Sequence, residues 1–292
     1  MISVEKLSLF NIEAFRKLYN KNQISYACNQ NFFQLYDDES FIVKYIIRKQ
    51  VKLLKFEKEF IGYIWYEYPE EDELTNIYSI YVKDEYIRYV DFDILKSLKS
   101  NYFKFDIIDS LRIKNIMEKL QFTPKSQIML MKIRSENCKI DIDYSNCSIR
   151  HFIKKQDEQL RCQIQNAVFN DKDRIPLSIG DILVEEEEDY YIDDFSVFIC
   201  NSHGIEVGYG QVIYTRGLYT IVNFGILEEY RGKGYGEILI KYLISFCNEK
   251  NITDIHIRVD KKNYKAISLY YKIGFREYNS LTTWSRTRQL YR

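Results

Sequence analysis

Gly225-Ile226-Leu227-Glu228-Glu229-Tyr230-Arg231-Gly232-Lys233-Gly234-Tyr235-Gly236 joins two patterned stretches. Before it, residues 219–226 read as a strand. After it, from about 234 to 250, Ile238, Leu239, Tyr242, Leu243, Phe246 and Cys247 recur at helical spacing. The stretch is therefore a strand, a glycine-rich turn and the start of an amphipathic helix. The first turn of a helix leaves its amides without intrahelical partners, and several such N–H groups can converge on a diphosphate. Glycines let the backbone approach the anion closely, and Arg231 and Lys233 add cationic donors. A P-loop would need Ser or Thr after Gly232-Lys233, where Gly234 stands. A dinucleotide-binding G-x-G-x-x-G has other spacing and follows the first strand of a parallel unit. The turn at 231–236 is read as a pyrophosphate cradle.

Outward from the cradle, residues 194–201 and 205–215 alternate apolar and polar side chains. Ser202-His203-Gly204 between them is a hairpin signal. Downstream, 252–259 reads as a buried strand and 263–273 as a helix closed by Gly274 in a left-handed conformation. A last strand covers 281–287.

The first half repeats this order. Phe60-Ile61-Gly62-Tyr63 resembles Glu206-Val207-Gly208-Tyr209, and Ile80 to Tyr86 resembles Phe224 to Tyr230. Glu118-Lys119-Leu120-Gln121-Phe122 resembles Tyr271-Lys272-Ile273-Gly274-Phe275. Where the second half carries the glycine turn, the first has Ile87-Arg88-Tyr89-Val90-Asp91. A duplicated domain with one cradle lost is expected. The polar stretch 134–146 is the linker candidate, giving domains at 1–140 and 141–292.

The chain has 292 residues, enough for two cores, with 46% hydrophobic and 29% charged residues. Its 42 basic and 42 acidic residues balance, against a binder that relies on phosphate neutralisation of nucleic acid. The 26 Tyr and 18 Phe are spread through every segment and read as compositional bias. Six cysteines show neither C-x-x-C nor a zinc-type His spacing, so no metal is expected. Residues 1–10 have no apolar core of signal type, and no run approaches the ~18 apolar residues of a membrane span. The expectation is a cytoplasmic protein with reduced thiols, no membrane partner and no nucleic-acid partner.

Arg231, Gly234 and Gly236 fit the signature Arg/Gln-x-x-Gly-x-Gly/Ala, and Asn263, Ala266, Leu269-Tyr270 and Gly274-Phe275 fit a second block. Together these resemble the acetyl-coenzyme-A-binding region of the GNAT acetyltransferase superfamily. The resemblance covers about the last seventy residues tightly and the preceding hairpin loosely. It implies an α/β fold of two tandem GNAT-like domains, each a mixed, mostly antiparallel sheet flanked by helices. Mycothiol synthases resemble this plan, with two such domains and one active copy. The first domain would then shape the acceptor cleft or the domain interface.

The resemblance implies acetyl-coenzyme A as co-substrate and an amine as acceptor, joined by direct attack. Phe224, Gly225 and Ile226 would pair with the pantetheine arm. The Ile226 amide would donate to the thioester oxygen. Arg231, Gly232, Lys233, Gly234, Tyr235 and Gly236 would hold the pyrophosphate. Asn263 would contact the cofactor arm, and Tyr270 would bind there and protonate the departing thiolate.

Two positions where relatives place a carboxylate base are Thr220 and Arg258 here. Glu206, Tyr209, Asp260 or a water chain remain as alternatives. His203 reads as a solvated turn residue and His256 as structural; the acidic run 185–188 could greet a cationic acceptor but reads first as a solvated helix face. The missing base keeps a rival open, a non-catalytic acyl-coenzyme-A sensor or scaffold. A binder of simple nucleotide phosphates is a third reading.

Overall fold

The computed structural model describes residues 1–22, 31–67, 74–98, 100–137, 142–170 and 174–287. Cys28, Cys138 and part of the linker candidate fall outside them. In chain order the first elements are β1 (Ile2–Lys6), α1 (Ile12–Lys21), α2 (Phe32–Tyr36), α3 (Phe41–Lys49), β2 (Val51–Phe56), β3 (Glu59–Tyr66), β4 (Leu74–Val82), β5 (Tyr102–Ile108), α4 (Leu111–Lys119) and β6 (Thr123–Arg134). There follow β7 (Cys147–His151), α5 (Glu158–Val168), α6 (Ile179–Glu186), β8 (Ser196–Asn201), β9 (Glu206–Thr215), β10 (Leu218–Ile226), α7 (Tyr235–Glu249), β11 (Asp254–Asp260), α8 (Tyr264–Ile273) and β12 (Arg276–Thr287).

The chain divides into two compact units, 1–128 with 279–292, and 129–278. This division falls before β6 has ended, whereas the polar stretch suggested 140/141. Most of β12 belongs to the first unit because residues 281–287 pair antiparallel with β5.

In the first unit β1–β2, β2–β3 and β3–β4 are antiparallel, and β4–β5 is parallel. One sheet face packs on α1 and α2 through Phe15, Leu18, Phe32 and Tyr36. The other packs on α4 through Ile113, Ile116 and Met117. The second unit repeats the plan: β7–β8, β8–β9 and β9–β10 are antiparallel and β10–β11 parallel. Ile164 of α5 and Ile182 of α6 cover one face with Phe198 and Tyr209. Leu239, Leu243 and Cys247 of α7 and Tyr270 of α8 cover the other. Burial pushes the Cys247 thiol up to about 12, consistent with a packing role.

The repeat extends to individual hydrogen bonds. Gly62 sits opposite Val82 as Gly208 sits opposite Ile226. Lys83 N–H donates to Ile61 O at 2.8 Å, and Leu227 N–H to Val207 O at 2.9 Å. A Cβ on Gly62 would lie 2.2 Å from Tyr81 O, and one on Gly208 2.7 Å from Gly225 O. Both glycines permit the same close approach of backbones.

After these matching strands the units diverge. The first goes through two 3-10 turns, Asp84–Tyr89 and Phe92–Ser97, to β5. The second has one short turn, Glu228–Tyr230, then the glycines and the 15-residue α7. Among the described residues, no helix is long and apolar enough to cross a membrane.

Candidate active site

The site is built around a break in β10. This strand pairs with β11 only over Tyr219–Ile221. Its register with β9 then slips between Val222 and Gly225, with Asn223 at φ 53°. Asn tolerates the left-handed region, and a bulge bends the strand that carries it. Beyond it, no β10–β11 pair occurs among the described residues, so a gap opens between the strands. Leu227 N–H donates to Val207 O on β9. Because successive amides along a strand point to opposite sides, Phe224 and Ile226 turn their N–H groups into the gap. Gly225 lies between them, where a Cβ would fall 2.1 Å from Val168 Cγ1 of α5.

The glycine turn follows. Gly232 and Gly234 have φ of 77° and 89°, and a Cβ on either would meet nothing within 4 Å. Both are required by backbone conformation and face open space, as a cradle for a ligand demands. Gly234 caps α7 and accepts at its carbonyl from Glu237 and Ile238 N–H at 3.0 and 3.1 Å. Among the described residues, the N–H groups from Gly232 to Gly236 have no backbone partner. They lie at the positive end of the helix dipole. Gly236 brings α7 close to its neighbours: a Cβ there would lie 3.6 Å from Leu269 and 3.7 Å from Ile226.

Arg231, expected to hold the pyrophosphate, has its side chain folded back toward the end of β10. Its Nε donates to Ile226 O at 2.9 Å and its Nη2 to Val168 O at 3.4 Å. It therefore braces the end of β10 against α5. Lys233 Nζ sits 5.2 Å from the Tyr230 ring centroid, within reach of the open turn.

Helix α8 brings up the second block. Asn263 caps it, its Oδ1 accepting from Ala266 N–H at 3.1 Å, which leaves the side-chain NH2 as a donor. Gly274 closes it at φ 121°. Glu237 in the first turn of α7 holds Lys272 of α8 at 2.5 Å, and that bond together with Lys241 keeps its carboxyl below the usual range. Tyr270 is buried, its ring 6.3 Å from that of Phe224 and 5.9 Å from that of Phe275. The structure thus brings Tyr270 to the strand that borders the gap. Burial pushes its phenol well up, so it stays protonated at neutral pH. Tyr271 is turned elsewhere, its hydroxyl 3.9 Å from Met129 Sδ.

The positions considered for a base separate clearly. Thr220 is buried within β10. Glu206 is held by Arg150 Nε at 2.7 Å. Asp260 accepts from Lys262 N–H at 2.7 Å in the turn before α8. Burial pushes the Tyr209 phenol far up, and its hydroxyl donates to Gln211. His203 stands in the hairpin turn, its N–H bonded to Asn201. His256 is buried against Tyr278.

The acidic run was expected to be solvated throughout, and this holds only for Glu187 and Glu188. Glu186 is buried, and burial together with Glu158 raises its carboxyl. Glu185 is ion-paired to the fully buried Arg161. Helical spacing from Ile182 puts both on the inward face, a signal present in the sequence but masked by the four consecutive acids.

Comparison with known proteins agrees with this geometry. Residues 168–275 match the model of the Acetyltransferase (GNAT) family. An N-alpha-acetyltransferase of Saccharolobus solfataricus is 31% identical over 104 residues, covering 32% of this chain and 62% of that protein. A mycothiol acetyltransferase of Renibacterium salmoninarum is 25% identical over 148 residues, covering 48% of this chain and 44% of its own. The match spans less than two thirds of each relative's length. A GCN5-related N-acetyltransferase from Sphaerobacter thermophilus superposes with a TM-score of 0.63 at 15% identity, covering 98% of this chain and 95% of that one. A tandem GNAT protein from the clavulanic acid biosynthesis pathway superposes at 0.56 with 9% identity, covering 98% of both chains. The fold of the chain is the tandem GNAT fold, and its C-terminal half carries a GNAT acetyltransferase domain.

Proposed function

We propose that the protein is an N-acetyltransferase that moves an acetyl group from acetyl-coenzyme A to a primary amine by direct attack. The observation that carries this reading is the pairing of an open left-handed glycine turn with a gap into which two strand amides point. A coenzyme-A thioester fits these features, bringing an anionic diphosphate, an amide-bearing arm and an activated acyl carbon. The amides from Gly232 to Gly236 and Lys233 hold the diphosphate. Phe224 and Ile226 pair with the arm, and Gly225 keeps α5 close behind it. Ile226 N–H is the donor for the negative charge that develops on the thioester oxygen, with Phe224 N–H beside it. Asn263 donates to the arm. Tyr270 O–H delivers the proton to sulfur, and its burial keeps that proton in place until the thiolate leaves. The first unit has no glycine turn, so one donor molecule per chain is expected.

Calorimetric titration with acetyl-coenzyme A, followed by thiol release over a panel of amines, tests the proposal. Tight binding with amine-dependent thiol release supports it. Equal affinity for acetyl-coenzyme A and for pyrophosphate would sink the coenzyme-A reading and select a binder of simple phosphates. Thr220 and Arg258, where relatives place carboxylates, favour a second reading as a non-catalytic acyl-coenzyme-A binder. Binding without thiol release for any amine would select that reading.

A further inference from the structure

Neither the cradle nor Tyr270 uses the polar cluster on the α5–α6 face of the second unit. Glu185 lies at its centre. Its Oε2 is clamped by Arg161 Nη2, and the Arg161 guanidinium lies 5.2 Å from the Tyr209 ring centroid. Among the described residues, its Oε1 has only two contacts, both long, from Gln211 Nε2 at 3.3 Å and Asn223 Nδ2 at 3.5 Å. Ordinary N–H···O bonds lie near ~2.9 Å, so this oxygen is under-bonded. Gln211 is itself held from the side, its Oε1 accepting from Asn223 at 3.2 Å and from Tyr209 O–H at 3.3 Å.

Among the described residues, Arg161 Nε and Nη1 and Gln165 Nε2 of α5 and Glu186 Oε1 of α6 are buried without a partner. Arg161 and Gln165 are 0% and 2% exposed. Three of these four atoms are N–H donors, which call for acceptors and do not themselves receive a cation; the acceptor that the face offers to one is Glu185 Oε1.

The cluster is tied to the gap by Asn223. This is the bulge residue, directly before Phe224, whose N–H points into the gap. Its side chain reaches Glu185 on one sheet face, while the Phe224 ring packs toward Tyr270 on the other. Glu185 keeps 16% of its side chain exposed, so it is reachable from solvent. One oxygen is fixed by a buried cation, and the other accepts two long bonds, one of them from the bulge residue Asn223. That arrangement suits an incoming ammonium group.

We propose that Glu185 Oε1 receives the ammonium of the acceptor and takes its proton, with Arg161 as the positioning residue. The acceptor class is then a primary amine that arrives as a cation. This rests on the acyl-transfer reading above. Glu185 removes one N–H proton, and the freed lone pair forms the C–N bond to the thioester carbon. The C–S bond breaks, with its electron pair on sulfur. A second proton leaves nitrogen, Tyr270 supplies one to sulfur and is reprotonated, and one proton in all passes to solvent.

The test uses the full chain loaded with coenzyme A and titrated calorimetrically with n-butylamine, with n-butanol as the neutral probe. Wild type should bind the amine and not the alcohol, and Glu185→Gln should bind the amine about tenfold or more weakly. Unchanged acetyl-coenzyme-A affinity in Glu185→Gln shows that the variant is folded. Glu185→Asp, which keeps the charge, should recover part of the amine binding. In turnover, Glu185→Gln should lose about a hundredfold in kcat/KM for amines. Arg161→Lys should lower kcat more than it raises KM. Equal binding of butylamine and butanol by wild type, no amine binding, or unaltered Glu185→Gln would each overturn the assignment. Amine binding that depends on Glu185 without thiol release would instead overturn the transferase reading and leave the ammonium site standing.

Discussion

Met117 stands in the first unit where Tyr270 stands in the second. Phe122 N–H donates to Met117 O at 2.9 Å, and Phe275 N–H donates to Tyr270 O at 2.9 Å. Each bond closes a helix across a left-handed residue, Gln121 at φ 58° and Gly274 at φ 121°. Both side chains are buried. The backbone therefore belongs to the fold, whereas the hydroxyl is particular to the unit that also has the glycine turn.

If the phenol serves chemistry and the ring serves packing, Tyr270→Phe separates them. The ring contacts with Phe224 and Phe275 remain. Turnover should fall about tenfold to a hundredfold, while acetyl-coenzyme-A affinity and melting temperature stay close to wild type. Steady-state rates beside calorimetric affinity decide this. An unchanged kcat would return Tyr270 to the core.

Gly234→Ala isolates the cradle. A Cβ meets no atom within 4 Å, so the cost to folding is limited to the left-handed backbone at φ 89°, about 1–2 kcal/mol. The added methyl lies where the turn opens to ligand. Affinity for acetyl-coenzyme A should drop at least tenfold, well beyond the modest loss seen in chemical denaturation. Retained affinity would mean that the diphosphate sits elsewhere.

How far the sequence could be read follows from which interactions are local. The turn at 231–236 and the closure at Gly274 are set by neighbours within a few residues, so spacing exposes them. The duplicated registers were legible for the same reason, because Gly62 and Gly208 are close-approach glycines inside short motifs. The brace that Arg231 forms was not legible, because its partners, Ile226 O and Val168 O, come from tertiary packing. The acidic run was weighed as a place for a cationic acceptor, but which member turns inward was hidden, because the buried Arg161 that draws Glu185 in comes from another helix. The pairing of β12 with β5 is likewise invisible, since it joins residues about 180 apart in sequence.

Gly225→Ala probes how closely α5 is held behind the gap. The new Cβ would lie 2.1 Å from Val168 Cγ1, the end of a side chain. Overpacking of this kind costs about 1–3 kcal/mol. Val168→Ala in the same chain should restore most of the lost stability, which urea denaturation of the single and double variants would reveal. Gly62→Ala is the contrasting case. Its Cβ would strike Tyr81 O at 2.2 Å, main chain that no truncation removes, so it should destabilise without such rescue.

His256 gives the stability a pH dependence whose sign can be worked out. Burial lowers its pKa; Asp254 raises it, and Lys132 and Arg258 lower it further. Nδ1 is buried without a partner. The unfolded chain titrates this group near ~6.5 and so binds the proton more readily than the folded chain below that pH. The stability involved is complete above the unfolded value and is lost as pH falls toward 5. Glu186 acts in the opposite sense, since its raised carboxyl gains stability on acidification. The informative quantity is therefore the difference between wild type and His256→Gln. The variant should show a flatter fall in melting temperature between pH 7.5 and 5. Parallel curves would mean that the folded chain protonates His256 without cost, and that β11 opens enough there to admit water.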